Sequence, residues 1–123
     1  VIDDDRTVRE VLADVLTFCG HTVTMAASGE AGIAAFERER HDVVLTDLLM
    51  PGLTGWDVIT RVRDVDPGVP VLMVSGALGT ADLERAAALG VQVLHKPVRL
   101  EQLQRAVHRM APRERAAAAP ADR

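Results

Sequence analysis

The sequence predicts an α/β fold: a doubly wound sheet of five parallel strands in the order 2-1-3-4-5, with five helices on its two faces. Three observations predict it. Short apolar runs of high β-propensity alternate strictly with helix-periodic stretches, β then α five times, and the connections are short. Val43-Val44-Leu45-Thr46 shows no in-out alternation, as a strand covered by helices on both sides requires. Hydrophobic residues make up 48% of the chain and aromatics only 2%, so the core must be Val, Leu, Ile and Ala. Right-handed crossovers then leave few strand orders, and 2-1-3-4-5 places the first strand beside the third.

The first strand is Val1-Ile2, running into Asp3-Asp4-Asp5; opening so abruptly, the chain is expected to be cut from a longer protein. Thr7 and Glu10 have capping-box spacing, and Val8, Val11, Leu12, Val15, Leu16 and Cys19 recur at helical intervals until Gly20. His21 to Met25 alternates as a second, edge strand. Ser28 caps a helix containing Ile33 and Phe36. After the third strand and Asp47, a loop with Pro51, Gly52 and Gly55 leads to a helix marked by Trp56, Val58, Ile59 and Val62 and closed by Asp66-Pro67-Gly68. Val71 to Val74 is the fourth strand, ending at Ser75-Gly76. Thr80 is expected to cap the Ala-rich helix that Gly90 stops. Val91 to Leu94 is the fifth strand, followed by His95-Lys96-Pro97. The last helix, from about Leu100 to Met110, offers Leu100, Leu103, Val107 and Met110 to the core. The folded unit is expected to span 1–111, with 112–123 a linker-like or disordered tail.

With 123 residues the chain supports one domain. No apolar run approaches the roughly 20 residues of a membrane span, and the protein is expected to be cytoplasmic, with no membrane partner. Cys19 is the lone cysteine, so neither an internal disulfide nor a zinc cluster is expected. The four histidines are scattered and read as surface or strand-end residues. Residues 1–98 carry eight basic and 15 acidic side chains, against six and three in 99–123. An acidic body without Arg stripes and interleaved aromatics excludes direct nucleic-acid binding by this domain. Thirteen of the 14 basic residues are Arg, and the single lysine is Lys96.

That lysine belongs to a set. Four predicted strands end on polar groups: Asp3 and Asp4 after the first, Asp47 after the third, Ser75 after the fourth, Lys96 after the fifth. Ligand crevices in open α/β sheets lie beyond the carboxyl ends of the strands. Taken singly, Asp47 could merely open the Pro51-Gly52 turn, and Lys96 could merely neutralise nearby acids. Two carboxylates about 5 Å apart repel by roughly 3 kcal/mol at an effective dielectric near 20, which contributes nothing to stability. A divalent cation would offset that repulsion, and an oxygen-only donor set suits Mg²⁺ rather than zinc. Lysine offers phosphate a compact point charge, and Lys96-Pro97 is an X-Pro bond that can be cis.

From Val1 to about Met110 the chain resembles the receiver domain of two-component response regulators. The matching pieces are the acids of Val1-Ile2-Asp3-Asp4-Asp5, the stretch Thr46-Asp47-Leu48-Leu49-Met50-Pro51-Gly52, Ser75-Gly76, and Lys96-Pro97. The resemblance implies a flavodoxin-like fold in which Asp47 accepts a phosphoryl group from a phosphohistidine on a sensor histidine kinase or phosphotransfer protein. It implies Mg²⁺ held by Asp4, Asp47 and the main-chain carbonyl of Leu49, with Asp3 acting through water. Ser75, Gly76 and Lys96 would bind the phosphoryl group and throw the switch. The face of the fourth helix, fifth strand and fifth helix would meet an output domain or a second copy. Such a protein is a signalling phospho-acceptor rather than an enzyme acting on other substrates.

The sequence departs from the family at three positions. Val93 stands where many receivers place a switch aromatic, and Leu49 and Ala77 stand where polar groups influence water attack on the phosphoryl group; a long-lived phosphoaspartate is expected. Two rival readings stay open. A phosphatase of the haloacid-dehalogenase kind also uses an Asp after a strand, Mg²⁺ and a lysine, but needs a second Asp where this chain has Leu49. The other is a receiver-like interaction domain that is never phosphorylated. No G-x-G-x-x-G or G-K-[ST] supports nucleotide binding.

Overall fold

The computed structural model describes residues 1–118, with side chains described as far as Met110. Its named sheet has β1 (Val44–Thr46), β2 (Val71–Ser75) and β3 (Gln92–His95), all parallel, in the order β1-β2-β3. Leu45 pairs with Leu72, and Met73 with Val93. The first and second predicted strands shrink to bridges: Ile2 pairs in parallel with Thr46 on one side and Ala26 on the other. Across the molecule the sequence segments therefore lie in the order 2-1-3-4-5, as the alternation predicts. His21 to Met25 does not form the expected strand, because a ladder needs a neighbour. The amino group of Val1 donates to the Thr24 carbonyl at 2.9 Å and the Ala26 N–H to the Val1 carbonyl at 2.8 Å, while His21–Thr24 and Asp42–Val44 both line a cavity of about 290 Å³.

Side-chain alternation along the strands divides the core in two. Val71 and Met73 face a cluster with Ile33, Phe36, Val58, Ile59, Val62 and Ala86, under α2 (Gly29–Arg38), α3 (Gly55–Val65) and α4 (Thr80–Leu89). Leu72 and Val74 face the other cluster, built from Leu12 and Leu16 of α1 (Arg6–Phe18) and Leu103, Ala106, Val107 and Met110 of α5 (Leu100–Ala118). Three residues of the expected apolar faces are exposed: Val11 (54%), turned off the buried stripe of α1, Cys19 at the end of that helix, and Leu100 (49%) at the opening position of α5.

Capping departs from the sequence pattern at the starts of α1 and α4, which begin one or two residues earlier than expected. Asp5, not Thr7, caps α1, its side chain accepting from the Thr7 and Val8 N–H groups at 3.0 and 3.3 Å, and Glu10 instead pairs with Arg6. Ser28 caps α2 as expected. A capping box opens α3, with Thr54 and Asp57 each serving the other's backbone. At α4 the cap is Gly79, whose N–H donates to Asp82, and Thr80 is already helical. Gly90 ends α4 in the left-handed conformation at φ 66°. Helix α5 continues to Ala118, past the boundary expected at 111, and residues 119–123 of the expected tail lie outside the described residues. Among the described residues no helix is long and apolar enough to cross a membrane.

Candidate functional site at the carboxyl edge of the sheet

Asp47 leaves β1 held from three sides. Its N–H donates to the Ile2 carbonyl at 2.9 Å, its carbonyl accepts from the Thr46 hydroxyl at 2.9 Å, and its Oδ1 accepts from the Leu48 N–H at 2.7 Å. Gly55, at the start of α3, packs so closely against this turn that a Cβ there would stand 2.5 Å from the Asp47 carbonyl oxygen. Nothing in the sequence marks Gly55 beyond a loop glycine, since only the fold brings it against Asp47. Asp3 follows Ile2 and is almost wholly buried, at 1% exposure. Its Oδ1 accepts from the Asp5 N–H at 2.9 Å, and its carbonyl accepts from Arg9 Nη1 at 2.8 Å. Arg9 was another residue that the sequence alone did not single out.

Lys96 closes the group. Its Nζ donates to Asp3 Oδ2 at 2.9 Å and to Asp47 Oδ2 at 3.2 Å, joining residues 93 and 49 positions away in the chain. Partial burial opposes the charge on Lys96, but the hydrogen bonds and negative charges of Asp3 and Asp47 outweigh it and hold its pKa above the usual lysine range. With the folded value raised, this ionic contribution is intact at neutral pH and is lost only as pH climbs through the lysine range. The Lys96–Pro97 peptide is cis.

Asp4 is exposed beside them, and Asp3, Asp4 and Asp47 each offer a carboxylate oxygen within 4.8 Å of the others. Oxygen donors alone, one of them open to solvent, fit Mg²⁺ with its retained waters. Ser75 is buried at the end of β2; its Oγ accepts from the Ala77 N–H at 3.2 Å and its carbonyl accepts from the Lys96 N–H at 3.1 Å. Gly76 adjoins Lys96 without crowding, since a Cβ there would lie 3.8 Å from the Lys96 Cβ. Leu49 projects outward at 58% exposure, Ala77 is exposed, and Val93 is half-buried against the core on the α2–α4 face. The structure thus brings together Asp3, Asp4, Asp47 and Lys96, with Ser75 and Gly76 at their edge.

A doubly wound parallel sheet carrying buried acids and one lysine at its carboxyl edge is the arrangement expected of a receiver-type signalling domain. The chain belongs to the response regulator receiver domain family of two-component systems, whose family model matches residues 1–108. It is 33% identical over 104 residues to the probable transcriptional regulatory protein TcrX of Mycobacterium tuberculosis, covering 84% of this chain and 44% of that protein. To the response regulator MprA of Mycobacterium leprae it is 34% identical over 105 residues, covering 83% of this chain and 45% of that one. It therefore spans less than half the length of these curated relatives. Among solved structures, the chemotaxis protein CheY4 of Vibrio cholerae superposes with a TM-score of 0.83 at 28% identity, over 89% of this chain and 93% of that one. A CheY-like receiver domain protein from Methanospirillum hungatei shares the fold, with a TM-score of 0.88 at 23% identity over 94% of each chain.

Proposed function

We propose that Asp47 accepts a phosphoryl group from a phosphohistidine on a sensor histidine kinase or phosphotransfer protein, and that the folded unit, residues 1–111, passes the change to an output partner. The observation that carries this reading is the double contact of the Lys96 ammonium with Asp3 and Asp47. A buried acid pair that needs a cation to hold it together is a costly arrangement for stability alone.

The chemistry follows from the parts. A carboxylate oxygen of Asp47 forms the new O–P bond while the P–N bond to the donor imidazole breaks and the electron pair returns to that ring. The transition state spreads negative charge over the phosphoryl oxygens, so the work is positioning and charge stabilisation. Lys96, already within hydrogen-bonding distance of Asp47, turns from the carboxylate to the incoming phosphoryl oxygen. Asp3, Asp4, Asp47 and the Leu49 carbonyl would hold Mg²⁺, which supplies further positive charge against the transferring group. Ser75 exchanges its hydrogen bond with Ala77 for one to the phosphoryl group and draws the loop 76–79 with it, a two-state shift that the α4, β3 and α5 face presents to an output domain or second copy in the cytoplasm.

The phosphatase reading is disfavoured by Leu49, an exposed apolar side chain where a general acid would be required. Treatment with acetyl phosphate and Mg²⁺ followed by intact mass measurement tests the proposal. Wild type should gain one phosphate adduct and Asp47→Ala none. Turnover of the phosphodonor without any adduct would favour the phosphatase, and an inert wild type would leave an interaction domain.

A further inference from the structure

Helix α4 is held to the molecule in an unusual way. It buries Ala86 alone, whereas its neighbour α3 buries Gly55, Trp56, Val58, Ile59 and Val62. Leu83 and Leu89, the large apolar residues of α4, are 38% and 41% exposed. Burial of one alanine stabilises a ten-residue helix very little. Two arginines supply what packing does not. Near the middle of α4 the Arg85 guanidinium lies over the ring of the buried Trp56, 4.7 Å from its centroid. At the far end Arg63 of α3 donates from Nη1 to the Leu89 carbonyl, and its Nη2 lies 3.5 Å from the carbonyls of both Gly90 and Val69. The Leu89 and Gly90 carbonyls close α4, where the helix dipole is negative and a cation is favoured, while the Val69 carbonyl precedes β2. The Arg63 Nε is buried without a partner, so its guanidinium is committed to that end of α4 at a cost.

We propose that Arg63 and Arg85 form a two-point latch that fixes α4 on α3 and thereby sets how readily the segment between Ser75 and α4 moves. That segment is only four residues long and contains Gly76 and Gly79, so a displacement of Ser75 reaches α4 directly. An element held by few apolar contacts and two exposed-edge polar ties lies at the low-stability end of its fold. The latch holds the resting position, and loosening it favours the phosphoryl-bound one; this second half rests on the reading of Asp47 as the acceptor.

The test has two arms. Amide hydrogen exchange on the intact chain without phosphodonor compares wild type, Arg85→Ala, Arg85→Lys and Arg63→Met. Exchange in α4 should rise about two- to fivefold in Arg85→Ala, the worth of one exposed cation–π contact, with α1 and α5 unchanged and partial recovery in Arg85→Lys. Arg63→Met should act on the last turn of α4. Unchanged α4 exchange in both single losses, or an equal rise across every helix, overturns the latch. In the second arm beryllium trifluoride, a mimic of the acyl phosphate, is titrated with Mg²⁺ and followed by emission of Trp56, the only tryptophan. Half-saturation should fall about two- to fivefold in Arg85→Ala, since a released element shifts toward the ligand-bound state by the same factor. Equal half-saturation in wild type and Arg85→Ala overturns the regulatory half. A wild type that never binds the mimic instead overturns the acceptor reading, and with it any gating by the latch, while the exchange arm still decides whether the arginines hold α4.

Discussion

At the scale of residues, the site is a charge-balancing problem that one lysine solves in part. Lys96 meets both Asp3 and Asp47 but offsets only one negative charge, so with the exposed Asp4 the site keeps an excess of carboxylate that suits a divalent cation. The chain uses arginine at every other basic position. A single ammonium can meet two carboxylate oxygens at 2.9 and 3.2 Å and then pivot on its stem, where a planar fork would be fixed in one orientation. Leu49 and Ala77 bear on what happens after phosphorylation. Neither side chain can hydrogen-bond a water for attack on phosphorus, so the phosphoaspartate should be long-lived. Installing a polar group, as in Leu49→Asn, should shorten its half-life by about tenfold, below the roughly hundredfold that a fully positioned acid or base contributes. Time-resolved loss of the adduct by mass spectrometry measures it, and a wild-type decay as fast as the variant's would count against the assignment.

At the scale of elements, Gly55 ties α3 to the acceptor turn. A methyl group there meets the Asp47 carbonyl at 2.5 Å, Met73 Cε at 2.9 Å and Leu48 Cα at 3.0 Å, and two of those three are backbone that cannot swing aside. Gly55→Ala should therefore cost about 1–3 kcal/mol, as overpacking does. Gly76→Ala, with its nearest neighbour at 3.8 Å, should cost far less, and urea unfolding of the two variants makes the comparison. The sequence could not signal this contact, because the close approach joins residues eight apart through a turn whose path is set by the whole fold. The same is true of Arg9, Arg63 and Arg85, which read as ordinary surface charge until their carbonyl and indole partners are in place. Elements whose signals are local are legible in the sequence: Ser28 as a cap, Gly90 as a stop, Val71 to Val74 as a strand, and the unalternating Val43 to Thr46 as a strand buried on both faces. Thr7 does not cap because the helix starts earlier: Asp5 accepts from the Thr7 and Val8 N–H groups, which leaves Thr7 inside the first turn. His21 to Met25 alternates like a strand, but alternation describes side chains, and backbone pairing here is confined to Thr24 and Ala26.

At the scale of the whole molecule, the strand order and the gathering of four charged groups were legible together, since parallel alternation of β and α fixes which strand ends meet. Asp3, Asp47 and Lys96 lie within hydrogen-bonding distance because Ile2 is bridged to Thr46 of β1, and β3 ends on the same edge of the sheet. This arrangement makes stability sensitive to cations. Mg²⁺ at about a hundred times its dissociation constant should add about 2.7 kcal/mol to the native state, a rise in melting temperature of roughly 10 °C for a domain of this size. Asp4→Asn should melt higher than wild type in chelated buffer, having lost one repelling charge, and respond less to Mg²⁺. Scanning calorimetry with and without chelator measures both, and equal responses in the two proteins would place the cation elsewhere.

Most direct is chemical mapping of the acceptor. After exposure to acetyl phosphate and Mg²⁺, borohydride reduces an acyl phosphate to an alcohol, converting a phosphorylated aspartate to homoserine that peptide sequencing locates. Homoserine at position 47 alone is the expected result. Label at Asp3 or Asp4, or none anywhere in a folded wild-type protein, would contradict Asp47 as the phospho-acceptor.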